Sequence, residues 1–180
     1  LNKEHTEHYL SLFDDYVKLH HHVRKDDNRR VRKQTSLNSV KVLKICSEIN
    51  EQLHQKEKVV VLIRLLEFVN ENGVITEKEH DFVKTVSDIF NILEIEFNQL
   101  YNLNLNKENF TVYKENLLLI DNNQAPKLES LKHIQSNISG IITILHIPST
   151  NTFILRYQGD ESIFLNSQNI TPERMYVFDN

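Results

Sequence analysis

Acidic side chains crowd one short stretch of this chain. In residues 69–83, VNENGVITEKEHDFV, Glu71, Glu77, Glu79 and Asp81 surround an Asn72-Gly73 pair. Carboxylates at this density suit a hard divalent cation, which takes oxygen ligands from a sharp loop between two helices. The spacing breaks the simplest version of that idea. If Gly73 holds the sixth place of a helix–loop–helix calcium loop, Glu79 falls at the last ligand position but Phe68 falls at the first, where a carboxylate is needed. A second reading needs no ion. Gly73 reaches positive φ without a Cβ clash and suits the C′ position of a helix that ends there. Thr76 with Glu79 three residues on forms a capping box for the next helix, and acidic residues in a first turn offset the positive end of the dipole. The capping reading is preferred.

The remaining candidates for chemistry are poorer. His20-His21-His22 has the composition of a metal tract, but successive side chains on a helix diverge by about 100°, so the three do not converge on one ion. His5 and His8 lie one turn apart and read as solvated. The basic run of Arg24, Lys25, Arg29, Arg30, Arg32 and Lys33 is interrupted by Asp26-Asp27 and lacks interleaved aromatics. It reads as a linker and not as a nucleic-acid surface. Gly73, Gly140 and Gly159 stand alone, so no glycine-rich loop is present to cradle a phosphate. No Ser/His/Asp arrangement has a recognisable nucleophile context, and the chain is expected to be non-enzymatic, with no cofactor of its own. Cys46, the single cysteine, sits at helical spacing with Val42, Ile49 and Leu53 and reads as a core residue.

The elements that hold these residues divide near residue 105. A composition 39% hydrophobic and 26% charged over 180 residues is that of a globular chain with enough length for a real core. A net charge of −4 gives no bulk attraction to nucleic acid or anionic lipid. No apolar run has the roughly 18 residues that a membrane span needs, so no direct membrane insertion is expected. Before residue 105 apolar residues recur at helical spacing. A first helix is expected over 5–22, a linker over 24–35, and a second helix behind an N-cap at Ser36 or Asn38, with Val42, Leu43, Cys46, Ile49 and Leu53 inward. The run 59–69, VVVLIRLLEFV, is polar only at Arg64 and Glu67, so the third helix must be surrounded on nearly all sides. A fourth buries Phe82, Val86, Ile89 and Leu93, with Val83 and Phe90 beside them, and a short fifth covers 94–103.

After residue 105 the signals are strands: FTVY, NLLLID, LKHIQ, SGIITILHI, NTFILRYQG, SIFLN and RMYVF, with Pro148-Ser149-Thr150-Asn151 as the best hairpin connection. They are apolar on both faces, which predicts a small antiparallel β sandwich or roll. The expected class is α+β, a helical domain over 1–105 followed by a β module over 106–180. The only methionine is Met175 and the last residues follow directly on a strand-like run, so the chain reads as part of a longer polypeptide at both ends.

The elbow carries a resemblance. NGVITEKE is similar to the Asp-Gly-x-(Val/Ile)-(Ser/Thr)-x-x-Glu signature of tellurite-resistance TerB-like helical domains, and FNILEIEFNQL resembles the segment that follows it. The likeness covers about residues 36–103. It implies a helical bundle whose acidic elbows have been linked to divalent metal, with Glu79 and Glu71 as the candidate ligands here. Gly73, Thr76 and Glu79 match the signature, whereas Asn72 stands where the family has Asp. The whole layout, with a β segment after the helices, resembles the N-terminal region of large ABC-type ATP-binding proteins of the Bacteroidetes kind. That implies a forkhead-associated-like β module, in which Arg156 on a strand is similar to the phosphothreonine-binding arginine but lacks identifiable loop partners. It also implies ATP and Mg²⁺ in the full-length protein, partners in the ATPase and membrane parts of the same polypeptide, with homo-oligomerisation left open, and a cytoplasmic place at the inner face of the membrane. The alternative is a stand-alone TerB-like stress-response protein that binds divalent metal.

Overall fold

The computed structural model describes residues 44–105, 114–123 and 131–178. The first expected helix, the 24–35 linker, the caps Ser36 and Asn38, Val42 and Leu43, the histidines at 5, 8 and 20–22, and the FTVY strand lie outside the described residues. The chain divides into two compact units, Leu1–Glu48 and Ile49–Asn180. In the first unit residues 44–48 are described. They are helical, with a Lys44–Glu48 ion pair of 3.9 Å one turn apart and Cys46 fully buried.

The second unit begins with helical residues 49–52 and continues through α1 (Gln55–Val69), α2 (Glu77–Ile89) and α3 (Glu94–Asn104). Helices therefore precede strands, as expected. The change of character near residue 105 falls inside this unit. α1 starts four residues ahead of its apolar run, because the Glu57 carboxylate accepts the backbone N–H of His54 at 2.9 Å and supplies a cap. Val59, Leu62, Ile63, Leu65 and Leu66 are buried around it, the surrounded helix that the sequence predicts. α1 closes differently from expectation. Its C-cap is Asn70, whose N–H donates to the Leu66 carbonyl at 3.1 Å. Gly73 lies beyond the C′ position, at φ +73, and closes a separate turn in which its N–H donates to the Asn70 carbonyl at 2.8 Å.

α2 buries Val83, Val86 and Phe90, with Phe82 and Ile89 half-buried. It ends in a Schellman motif on Asn91, at φ +53: Asn91 N–H reaches the Asp88 carbonyl and Ile92 N–H the Ser87 carbonyl, each at 3.1 Å. That motif turns the chain one residue early, so Leu93 is the N-cap of α3 and is 56% exposed. The expected burial of Leu93 is corrected by this turn.

The strands are β1 (Leu117–Asp121), β2 (Lys132–Gln135), β3 (Ile141–Ile147), β4 (Thr152–Gln158), β5 (Phe164–Leu165), β6 (Gln168–Asn169) and β7 (Met175–Phe178). Five form one sheet in the order β2-β1-β3-β4-β7, and β5-β6 form a separate ribbon. The expected all-antiparallel pattern fails at one place. β1 and β2 run parallel, pairing Leu119 with His133 and Asp121 with Gln135. The other pairs are antiparallel, and among the described residues nothing closes into a barrel. The hairpin between β3 and β4 turns at Pro148–Asn151, with Asn151 at φ +48.

The sandwich expectation is right about cover and wrong about what provides it. On one face of β4, Thr152, Ile154 and Arg156 are buried, and Arg156 meets the end of α3. On the other, Leu155 and Tyr157 pack with Ile170, Ile163 and Leu165. Among the described residues helices and a short ribbon, not a second full sheet, supply the two covers. The ribbon is short because Asn166 and Ser167, at φ +51 and +67, make a two-residue primed turn between two-residue strands. Gly140 is needed where β3 begins: at φ +105, a Cβ there would stand 2.1 Å from the Gln158 carbonyl oxygen.

Candidate functional site

The elbow forms the capping box that its spacing predicts. Thr76 is the N-cap of α2 and Glu79 its N3 residue. Glu79 Oε2 accepts the Thr76 N–H at 2.8 Å and the Thr76 hydroxyl at 2.7 Å, while Glu79 N–H donates to Thr76 Oγ1 at 3.3 Å. The Glu79 carboxylate is thereby turned toward its own helix end. Glu71, Asn72, Gly73 and Glu77 are exposed, and Asp81 points to solvent beside His80, at 3.7 Å from Nδ1. Among the described residues no three of His, Cys, Asp and Glu are grouped to hold a metal ion. Cys46, buried, has its thiol pushed up to about 11 by desolvation, which disfavours the reactive thiolate.

The densest polar chemistry lies instead where helices meet sheet, within the second unit. Arg64 and Glu67, the two polar residues of the α1 run, bond to each other at 2.5 Å and both reach β7. Arg64 donates to the Met175 carbonyl at 3.1 Å, and Glu67 Oε1 accepts the Met175 N–H at 2.7 Å. Arg156 is 4% exposed. It donates to the Leu103 carbonyl, to the Asn104 carbonyl at 2.8 Å, and to Glu173 Oε2 at 2.5 Å. Burial pulls the guanidinium down from its ordinary value, and the Glu173 and Glu67 carboxylates counter that. Glu96, 2% exposed, accepts the Ser149 N–H at 2.9 Å and the Ser149 hydroxyl at 2.7 Å, pinning the β3–β4 hairpin to α3. Asn104 donates to the Leu66 carbonyl at 2.9 Å and accepts from Asn70 Nδ2 at 3.0 Å on its own carbonyl. These contacts give partners to carbonyls and N–H groups at helix ends and a sheet edge, the Leu66 carbonyl also accepting the Asn70 N–H.

A third group links the parallel strands, from the last residue of β1 to the second residue of β2. Asp121, 2% exposed, accepts at Oδ1 from Asn123 N–H at 2.8 Å and at Oδ2 from Asn123 Nδ2 at 2.9 Å. Oδ1 also lies 2.8 Å from His133 Nε2. An ionised carboxylate only accepts, so the proton of this bond belongs to His133 Nε2. Burial alone would push the Asp121 carboxyl up. The hydrogen bonds from His133 and Asn123, with the His133 charge, outweigh it and hold the carboxyl below its ordinary value. A carboxylate that orients a histidine is half of an acid–base pair. The pair joins β1 to β2 as a clasp. Sequence reasoning passed over it because the partners sit on strands whose parallel pairing no local pattern reveals. Comparison with protein-family models, curated proteins and solved structures finds no match for this chain.

Proposed function

We propose that this chain is a non-catalytic accessory region of a larger ABC-type ATP-binding polypeptide, a helical TerB-like part joined to a β part that docks or senses. The ATPase and its Mg²⁺ lie outside these residues, and the partners are the ATPase and membrane parts of the same polypeptide at the cytoplasmic face. The resemblance of NGVITEKE to the TerB-like signature supports the helical part of this reading, and the order of helices before strands supports the layout. The observation that carries the non-catalytic part is the use made of the polar candidates: Glu79 is turned onto Thr76, and Arg156 onto Leu103, Asn104 and Glu173. Side chains held in cohesion are poorly placed to bind or transform a substrate. No described helix is long and apolar enough to cross a membrane, which accords with membrane parts lying elsewhere in the polypeptide.

Two measurements test this reading. The reading frame that encodes the chain should continue beyond Asn180 into a phosphate-binding loop, and calorimetry on residues 1–180 should give no saturable ATP binding. A stop codon directly after Asn180, or saturable binding by this chain, overturns it. The competing reading, a stand-alone metal-binding protein, requires a melting point that rises with a divalent ion.

A further inference from the structure

We propose that Asn72 is a site of spontaneous deamidation in the folded chain. Asn72 is the one asparagine in the sequence that precedes a glycine. In this chemistry the backbone nitrogen of the following residue attacks the asparagine Cγ. Any side chain on that residue obstructs the approach, and glycine has none. The structure leaves the approach open. Residues 71–74 are all exposed, Val74 is 71% exposed, and nothing lies within 4 Å of where a Gly73 Cβ would be. Gly73, at φ +73, sits in a turn between the end of α1 and the cap of α2. A hinge between two capped helices can rearrange locally without disturbing either of them.

The step balances without an oxidant or a cofactor. Gly73 nitrogen loses its proton and bonds to Asn72 Cγ, the bond from Cγ to the side-chain nitrogen breaks, and ammonia leaves. The cyclic imide then adds water at either carbonyl. One opening leaves an aspartate at position 72. The other leaves an isoaspartate, in which the main chain runs through Cβ. Both products place a new carboxylate beside Glu71. The isoaspartyl product also lengthens the turn that the Gly73 N–H closes on the Asn70 carbonyl, now 2.8 Å long. That hydrogen bond opposes the reaction, since the attacking nitrogen must release it.

The test is ageing of the folded chain in mildly alkaline buffer at physiological temperature, followed by peptide mapping and enzymatic methyl labelling of isoaspartate. A parallel sample is aged in denaturant. The expected result is an acidic species whose modified peptide contains Asn72, formed before any other asparagine peptide changes, and absent from Asn72→Gln. A Gly73→Ala variant should slow it several-fold while melting as a folded protein. If the folded chain keeps the Asn72 amide while the denatured sample loses it, the turn hydrogen bond protects the site and the proposal fails. It fails equally if another asparagine reacts first in the folded chain.

Discussion

Glu79 and Glu96 hold the same place, the third residue of α2 and of α3, yet they are used in different ways. Glu79 folds back on the hydroxyl N-cap Thr76, half in solvent. α3 is capped by Leu93, which has no side-chain acceptor or donor, so Glu96 has no reciprocal side-chain partner there. Its carboxylate reaches out to Ser149 on the β3–β4 hairpin and is buried by the contact. Behind the hydroxyl cap Thr76 the third-position glutamate is spent locally, as Glu57 of α1 is on the His54 N–H, whereas behind the apolar Leu93 it becomes a long-range clamp. The same contrast separates the two regions. The elbow satisfies itself with neighbours a few residues away, whereas the helix–sheet seam is built from pairs far apart in sequence.

If that contrast is sound, substitutions in the seam cost more than substitutions in the elbow. Arg156→Ala should have the largest effect. It strips the donor from the buried Leu103 carbonyl, while the Asn104 carbonyl keeps Asn70 Nδ2, and an orphaned buried group costs about 1–3 kcal/mol. A loss of about 3 kcal/mol in denaturant unfolding, the upper end of that range, is expected. A loss comparable to a surface change would mean that helices and sheet are not held together through this residue. Glu96→Gln comes next. The amide keeps one acceptor but sets an NH₂ against a Ser149 donor, at a cost of about 2 kcal/mol, while Ser149→Ala should recover part of that cost in the double variant.

The difference between the regions also explains what could be read in advance. The elbow, α1, the burial of Val83, Val86 and Phe90, and the turn at Pro148–Asn151 follow from local spacing and cap chemistry, which are properties of a few consecutive residues. Arg64 and Glu67 were visible as the polar exceptions in an apolar helix, but their partner, the Met175 backbone, is not. The parallel pairing of β1 with β2, and with it the Asp121–His133 clasp, depends on a register that the strands themselves do not encode. Gly73 shows the limit on the other side: positive φ was legible, but the helix it was expected to close ends earlier, at Asn70.

The clasp gives a pH test of intermediate size. Asp121 is held below its ordinary value of 3.8, so it binds its proton more weakly folded than unfolded. Its contribution is therefore fully present above pH 3.8 and is lost as pH falls through the lower folded value. The stability difference between wild type and Asp121→Asn should shrink in acid below that point. A difference that grows in acid would mean that the carboxyl is raised and not lowered. In the elbow, Thr76→Ala should cost about 1 kcal/mol, the usual loss for a hydroxyl cap, with no change in the seam reported by hydrogen exchange of the Ser149 amide.

The smallest effect is the sharpest test of what the acidic elbow is for. Glu79→Gln preserves an oxygen that accepts from the Thr76 N–H and hydroxyl, now at 2.8 and 2.7 Å, and removes one charge near the positive end of α2. Loss of the charge–dipole term costs about 0.3–1 kcal/mol at an exposed helix end, less in salt. If the elbow is architectural, that small loss is the whole effect, and it is the same with chelator as with millimolar Ca²⁺, Mg²⁺ or Zn²⁺. If Glu79 and Glu71 hold a cation, the wild type gains stability with ion as binding to the folded state requires. Glu79→Gln and Glu71→Gln would then each abolish that gain. Thermal unfolding of the three proteins with and without ion separates the cases, because a cap residue changes the melting point equally in both buffers and a ligand does not.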